Sequence, residues 1–143
     1  MKRGLKRALK RMNLQNNTGW SYTGKNSGSD RLGFSAELPK ASFTVTIPEA
    51  IESMHLVLIS LKSYGRGWDN SELQITTQHP DSGKGLGVFH VAGYHEHTTS
   101  VSYSHKFLLD PSNLTVGKPV EARFDLVGLG YRFKIFGVMF CSH

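Results

Sequence analysis

One run, Leu56-Val57-Leu58-Ile59-Ser60-Leu61, constrains this chain more than any other stretch. Five of its six residues are apolar and two are β-branched. The run is too short for a stable helix and suits a β-strand covered on both faces. It predicts a central strand through residues 54–64. Gly65 and Gly67 flank Arg66 just beyond it, and glycine tolerates the tight or left-handed turn that would end the strand there. Lys62, Ser63, Tyr64 and Trp68 are thereby delivered to one rim.

The other apolar segments are shorter and alternate. Residues 32–38 place Phe34, Ala36 and Leu38 on one face, and residues 42–47 set Phe43, Val45 and Ile47 against Ser42, Thr44 and Thr46. Pro39 separates these two segments and Pro48 ends the second, as proline does at strand ends. Residues 72–77 carry Leu73, Ile75 and Thr77 on one face, and Val120, Ala122, Phe124 and Leu126 alternate with Glu121, Arg123 and Asp125. Residues 86–92, 98–109 and 131–141 are further strand candidates, divided by turn residues at 79–85, 111–113 and 128–130. Eight or nine short strands with no helix after residue 12 predict an all-β fold, an antiparallel β-sandwich of jelly-roll type. Leu56, Leu58, Val45, Phe124, Phe133 and Ile135 are its expected core. The chain of 143 residues divides into a leader at 1–12, a polar linker at 13–18 and the sandwich at 19–143. That length supports one core without disulfides, and the single cysteine, Cys141, is expected to be a buried thiol.

The charge is unevenly spread. Of seventeen basic residues, Lys2, Arg3, Lys6, Arg7, Lys10 and Arg11 fall in the leader, leaving eleven against eleven acids in the rest. The body is neutral and carries no general nucleic-acid face. In the leader Leu5, Ala8, Leu9 and Met12 recur at helical spacing opposite the cations, giving a short basic amphipathic helix or a solvated tail, with an anionic membrane surface, nucleic acid or a partner groove as its targets. No stretch reaches the length of a transmembrane segment, and no apolar region follows the charged start as a signal peptide requires. The chain as given reads as soluble. A secretory lumen or the extracellular space becomes its location if it is a fragment of a longer protein, and only then do the Asn-x-Thr sequons at Asn16 and Asn113 matter.

Four histidines, His90, His95, His97 and His105, lie close together in sequence. His95 and His97 would share a face of a strand, and with His105 they are the candidate ligands of a cupin-like metal site. The acid such a site needs three or four residues later is replaced by Ser100 and Val101. No serine sits in a nucleophile elbow and no two acids converge by spacing, so neither a catalytic residue nor a cofactor is assigned. Aromatic rims carry more. Sugars stack on Trp and Tyr faces while neighbouring polar groups bind their hydroxyls. Tyr64, Arg66, Trp68, Asp69, Asn70 and Tyr94, in or beside glycine-containing turns, are the candidate ligand-binding residues, with Trp68 expected to be exposed.

Trp20, Gly33-Phe34-Ser35 ahead of Phe43-Thr44-Val45, Leu61-Lys62-Ser63-Tyr64 followed by Gly67, the 97–102 segment, and Arg132-Phe133-Lys134-Ile135 with Gly137-Val138 occur in this order over nearly the whole body. In these pieces the chain resembles the β-sandwich domain that accompanies SGNH-type (GDSL-like) hydrolase domains in plant and algal proteins. It departs from that domain at Gly65, where an acid is common, and in lacking its paired cysteines and any hydrolase block. The resemblance implies a non-catalytic accessory module, glycan-directed, serving an esterase-like partner or missing domain. The alternatives are a small jelly-roll coat protein with a nucleic-acid-binding basic arm and a cupin-like metal-binding protein. Because leader and body separate in charge, deleting residues 1–12 is expected to abolish salt-sensitive binding to anionic vesicles or nucleic acid while leaving thermal melting nearly unchanged.

Overall fold

The computed structural model describes residue 9, residues 12–23 and residues 33–142. Ten strands follow one another: β1 (Leu14–Thr18), β2 (Trp20–Thr23), β3 (Gly33–Ala36), β4 (Ser42–Ile47), β5 (Met54–Lys62), β6 (Ser71–Gln78), β7 (Gly85–Ala92), β8 (Val101–Leu108), β9 (Val120–Gly128) and β10 (Phe133–Ser142). They form two five-stranded sheets, ordered β1-β4-β9-β6-β7 and β2-β3-β10-β5-β8, with antiparallel pairing throughout. Removing β1 and β2 leaves 4-9-6-7 over 3-10-5-8, the strand order of a jelly roll.

The period-two pattern places the core. Leu73, Ile75 and Thr77 of β6 and Val120, Ala122, Phe124 and Leu126 of β9 all face inward and are buried. Opposite them lie Leu56 and Leu58 of β5 and Phe133 and Ile135 of β10. An aromatic cluster joins the sheets: Trp20 stacks on Phe34 at 5.6 Å and meets Phe43 edge-on at 5.2 Å, while Phe43 stacks on Phe124 at 4.6 Å.

The structure corrects four expectations. First, β5 is fourth of five in its sheet, and β10 holds the centre. Leu56, Leu58 and Ser60 on the inner side of β5 are buried, but Val57 and Ile59 on its outer side are half-buried, so the apolar run reflects one core face and one partly covered surface. Second, residues 14–18, expected as a linker, form β1, an edge strand on β4. Its side chains after Leu14 are exposed, and Asn13 and Asn16 have positive φ angles of 56° and 53°, so backbone pairing alone holds it and no apolar alternation marks it. Ten strands thus replace eight or nine. Third, Cys141 is only partly buried on the last strand. Fourth, the leader is not wholly separable from the body.

That last point rests on Leu9, which is 1% exposed within the core, and on Met12, which packs against it and whose carbonyl accepts the Thr46 N–H at 2.7 Å. Lys2, Arg3, Lys6, Arg7, Lys10 and Arg11 lie outside the described residues. Truncation through residue 12 therefore removes core surface along with charge. Leu58→Ala and Leu9→Ala are each expected to lower stability by about 2–5 kcal/mol in chemical denaturation. A loss under about 0.5 kcal/mol at Leu9 would return the leader to an undocked tail.

Candidate functional site

The rim begins where β5 runs out. Gly65 and Gly67 adopt φ of +88° and +86°, and Asn70 follows at +62°, a region Asn tolerates better than most residues. The turn closes on itself: the Trp68 and Asp69 N–H groups both donate to the Gly65 carbonyl at 3.0 Å, and the Asp69 carboxylate accepts the Gly65 N–H at 3.2 Å. It is then tied to the connection between β9 and β10, because the Gly67 carbonyl accepts the N–H of Tyr131 and of Arg132 at 2.8 Å each. Gly130 donates its N–H to the Asn70 carbonyl at 3.2 Å.

A second set of bonds brings in the segment after β7. The Ser63 N–H donates to Gly93 O at 3.1 Å, the His95 N–H to Ser63 O at 3.2 Å, and the Gly93 N–H to Ser71 O at 3.0 Å, so Ser63 and Tyr94 form a parallel bridge. The Ser63 and Ser100 hydroxyls are hydrogen-bonded at 2.8 Å. Tyr64 and Tyr94 consequently emerge from neighbouring backbone at one end of the sandwich, 44% and 41% exposed. Arg66, Asp69 and Asn70 are exposed at the same end. Trp68 differs from expectation: it is half-buried, because its turn is drawn back against residues 130–132 and does not project.

The histidines do not assemble. His90 points outward from β7 beside Glu72, 3.6 Å away. His95 and His97 sit in the loop between β7 and β8, not on a strand, with their rings in T-shaped contact at 5.5 Å. Tyr103 intervenes between His95 and His105, at ring separations of 6.4 and 6.5 Å. Among the described residues no three His, Cys, Asp or Glu side chains converge as a metal site would require. His95 Nε2 is hydrogen-bonded to the Thr99 carbonyl.

Sequence reasoning missed a second row of rings. Tyr103, His105 and Phe107 lie opposite Ser60, Leu58 and Leu56 of β5, and directly paired residues share a face, so all three project from the inner side of β8. Phe107 stacks on His105 at 6.1 Å and across the sheets on Phe89 at 4.7 Å. The Lys62 ammonium stands 5.0 Å over the Tyr103 ring. Burial, and then the neighbouring Lys62 charge, hold the His105 pKa below the usual histidine value. An aromatic ring at every second position of residues 103–107 was the available signal.

No protein-family model matches the sequence, and no curated protein does. Solved structures do. The chain aligns over 100% of its length with 97% of a CBM61 module, whose structure is a complex with β-1,4-galactotriose, at TM-score 0.60 and 8% identity. It aligns over 92% with 95% of the C-terminal CBM6 of LamC, a marine laminarinase from Zobellia galactanivorans, at TM-score 0.54 and 7% identity. It aligns over 86% with 90% of the xylan-binding module CBM15 at TM-score 0.51 and 16% identity. It also matches larger proteins, spanning 21% of a bacteriophage CBA120 tailspike chain and 28% of Xylanase10C from Cellvibrio japonicus. The chain has the β-sandwich fold of carbohydrate-binding modules.

The rim glycines make a test of this geometry. A Cβ on Gly65 meets nothing within 4 Å, whereas one on Gly67 would lie 2.7 Å from Arg132 Cγ and 2.9 Å from the Tyr131 ring. Gly65→Ala is expected to cost about 1–2 kcal/mol for the left-handed backbone alone, and Gly67→Ala about 1–3 kcal/mol more for overpacking, measured by urea denaturation. Equal losses would mean that the turn is not packed on residues 131 and 132.

Proposed function

We propose that the chain is a non-catalytic glycan-binding module whose contact surface is the rim of Tyr64, Arg66, Trp68, Asp69, Asn70 and Tyr94. The observation that carries this is the Ser63–Tyr94 bridge, which brings the backbone of two exposed tyrosines, Tyr64 and Tyr94, to the same end of the sandwich among exposed polar groups. Stacking surfaces ringed by donors and acceptors are what a polyhydroxylated ligand needs. The backbone bonds among residues 63–71, 93–95 and 130–132 hold the surface in place before any ligand arrives, which limits the ordering cost of binding. The half-buried Trp68 contributes an edge and supports the turn, so the tyrosines are the principal stacking groups.

The fold likeness supports the same reading, since the aligned modules are described as xylan-binding or as bound to a galactotriose. The resemblance to the SGNH-associated sandwich extends it to an accessory role beside an esterase-like partner, in this polypeptide or another. A polysaccharide target places that work outside the cell or in a secretory lumen. Among the described residues no helix is long and apolar enough to cross a membrane.

A glycan-array screen of the wild type beside Tyr64→Ala, Tyr94→Ala and Trp68→Ala tests the proposal. Each stacking loss of about 1 kcal/mol should appear as roughly fivefold weaker binding, with melting little changed for the two tyrosine variants. A wild type that binds no glycan, or tyrosine variants that bind as well as it does, would overturn the assignment.

A further inference from the structure

The inner side of β8 does not close fully. Toward Leu108, Phe107 is stacked under Phe89 and the sheets meet. Toward the rim they do not: Val101 and Tyr103, on the same inner side, are 40% and 38% exposed. Lys62 pairs with Val101 and so shares that face, its ammonium lying over the Tyr103 ring. His95 enters from the loop, its ring edge against Tyr103. This open edge adjoins the tyrosine rim, since Ser63, next to Lys62, is the residue bridged to Tyr94.

The chemistry of the edge is cationic. Lys62 has no carboxylate partner among the described ion pairs. The one acid in residues 93–100 is Glu96, exposed in the loop and in no ion pair. The inward residues of β7, Gly87, Phe89 and Val91, are uncharged. His97 adds a further imidazole beside His95. His95 Nδ1 and His105 Nε2 are shielded from solvent within the ring cluster, so the exposed part of the edge is Lys62, Tyr103 and Val101. An ammonium with no carboxylate partner, held over a tyrosine that is 38% exposed, suits a sugar ring that carries an anion.

We propose that the Lys62, Tyr103, His95 and His105 edge is an acidic-sugar subsite, continuous with the rim and selecting glycans that bear a carboxylate or sulfate. The proposal rests on the glycan-binding reading and narrows its substrate class. Lys62 pairs with the anion, and the exposed edge of Tyr103 packs against the sugar ring.

The test compares polygalacturonate, its fully methyl-esterified form, and a sulfated galactan by calorimetric titration into the full chain at low salt. The acid form is expected to bind about tenfold more tightly than the ester, with the preference shrinking as salt rises. Lys62→Gln should cut the preference to the background that the leader cations give, Lys62→Arg should largely restore it, and Tyr64→Ala should weaken both polymers alike. The leader cations are the same in every variant and give each the same background preference for the acid form, so the change from wild type to variant reports the edge. In NMR titration the His105 pKa should rise when polygalacturonate is bound, because an anion favours imidazolium, and should not rise with the ester. Tight binding of the sulfated galactan as well makes charge the determinant, and its failure beside polygalacturonate binding assigns the site to carboxylates. Equal affinity for acid and ester, or a preference undiminished in Lys62→Gln, overturns the subsite while leaving the glycan reading standing. If none of these polymers is bound, the subsite falls, and the glycan array decides the wider reading.

Discussion

The fold depends on one aromatic cluster that spans the two sheets. Trp20, Phe34 and Phe133 come from one sheet and Phe43 and Phe124 from the other, and the rings alternate between stacked and edge-on contacts. Each such pair adds about 0.5–1.5 kcal/mol beyond the area it buries. More important is where the cluster sits. A Cβ on Gly93 would come within 2.8 Å of the Phe133 ring and 2.3 Å of Ser71 Oγ, so the loop after β7 rests directly on this core. The rim inherits its rigidity from the packing beneath it.

Above that floor, side chains are freed because backbone does the holding. Residues 63–71, 93–95 and 130–132 satisfy one another's N–H and C=O groups, and few side chains are drawn into the lattice of bonds. Tyr64, Tyr94 and Arg66 keep their side chains exposed. A surface built this way is ordered before binding, which is how a shallow site can reach useful affinity with few contacts.

The edges of the sandwich have different fates for a related reason. At one edge β1 and β2 extend the sheets, joined by a turn in which the Asn17 side chain donates to Trp20 O and accepts the Trp20 N–H, and Leu9 and Met12 seal the core. At the other, β7 and β8 meet through Phe89 and Phe107, and the inner side of β8 at Val101 and Tyr103 stays open. An open edge of this kind offers rings and polar groups to solvent without breaking the sheet.

The sequence by itself determined the fold class, because period-two alternation is local: Phe43, Val45, Leu73, Ile75, Val120, Ala122, Phe124 and Leu126 can hide from water only as one face of strands. It also marked the glycine turn after Tyr64, since Gly65 and Gly67 are read from composition alone. It could not mark β1, whose exposed polar side chains carry no pattern, nor the docking of Leu9, which looked like one more residue of a basic helix. Whether Tyr64 and Tyr94 share an end was undecidable from spacing, as was the orientation of Trp68. Those answers come from pairing between distant segments, the Ser63–Tyr94 bridge and the hold of Gly67 on residues 131 and 132. The same holds for Lys62 over Tyr103, forty-one positions apart in sequence and joined only by the register of β5 with β8. Register is a property of two strands together, and so it was the tertiary structure that decided it.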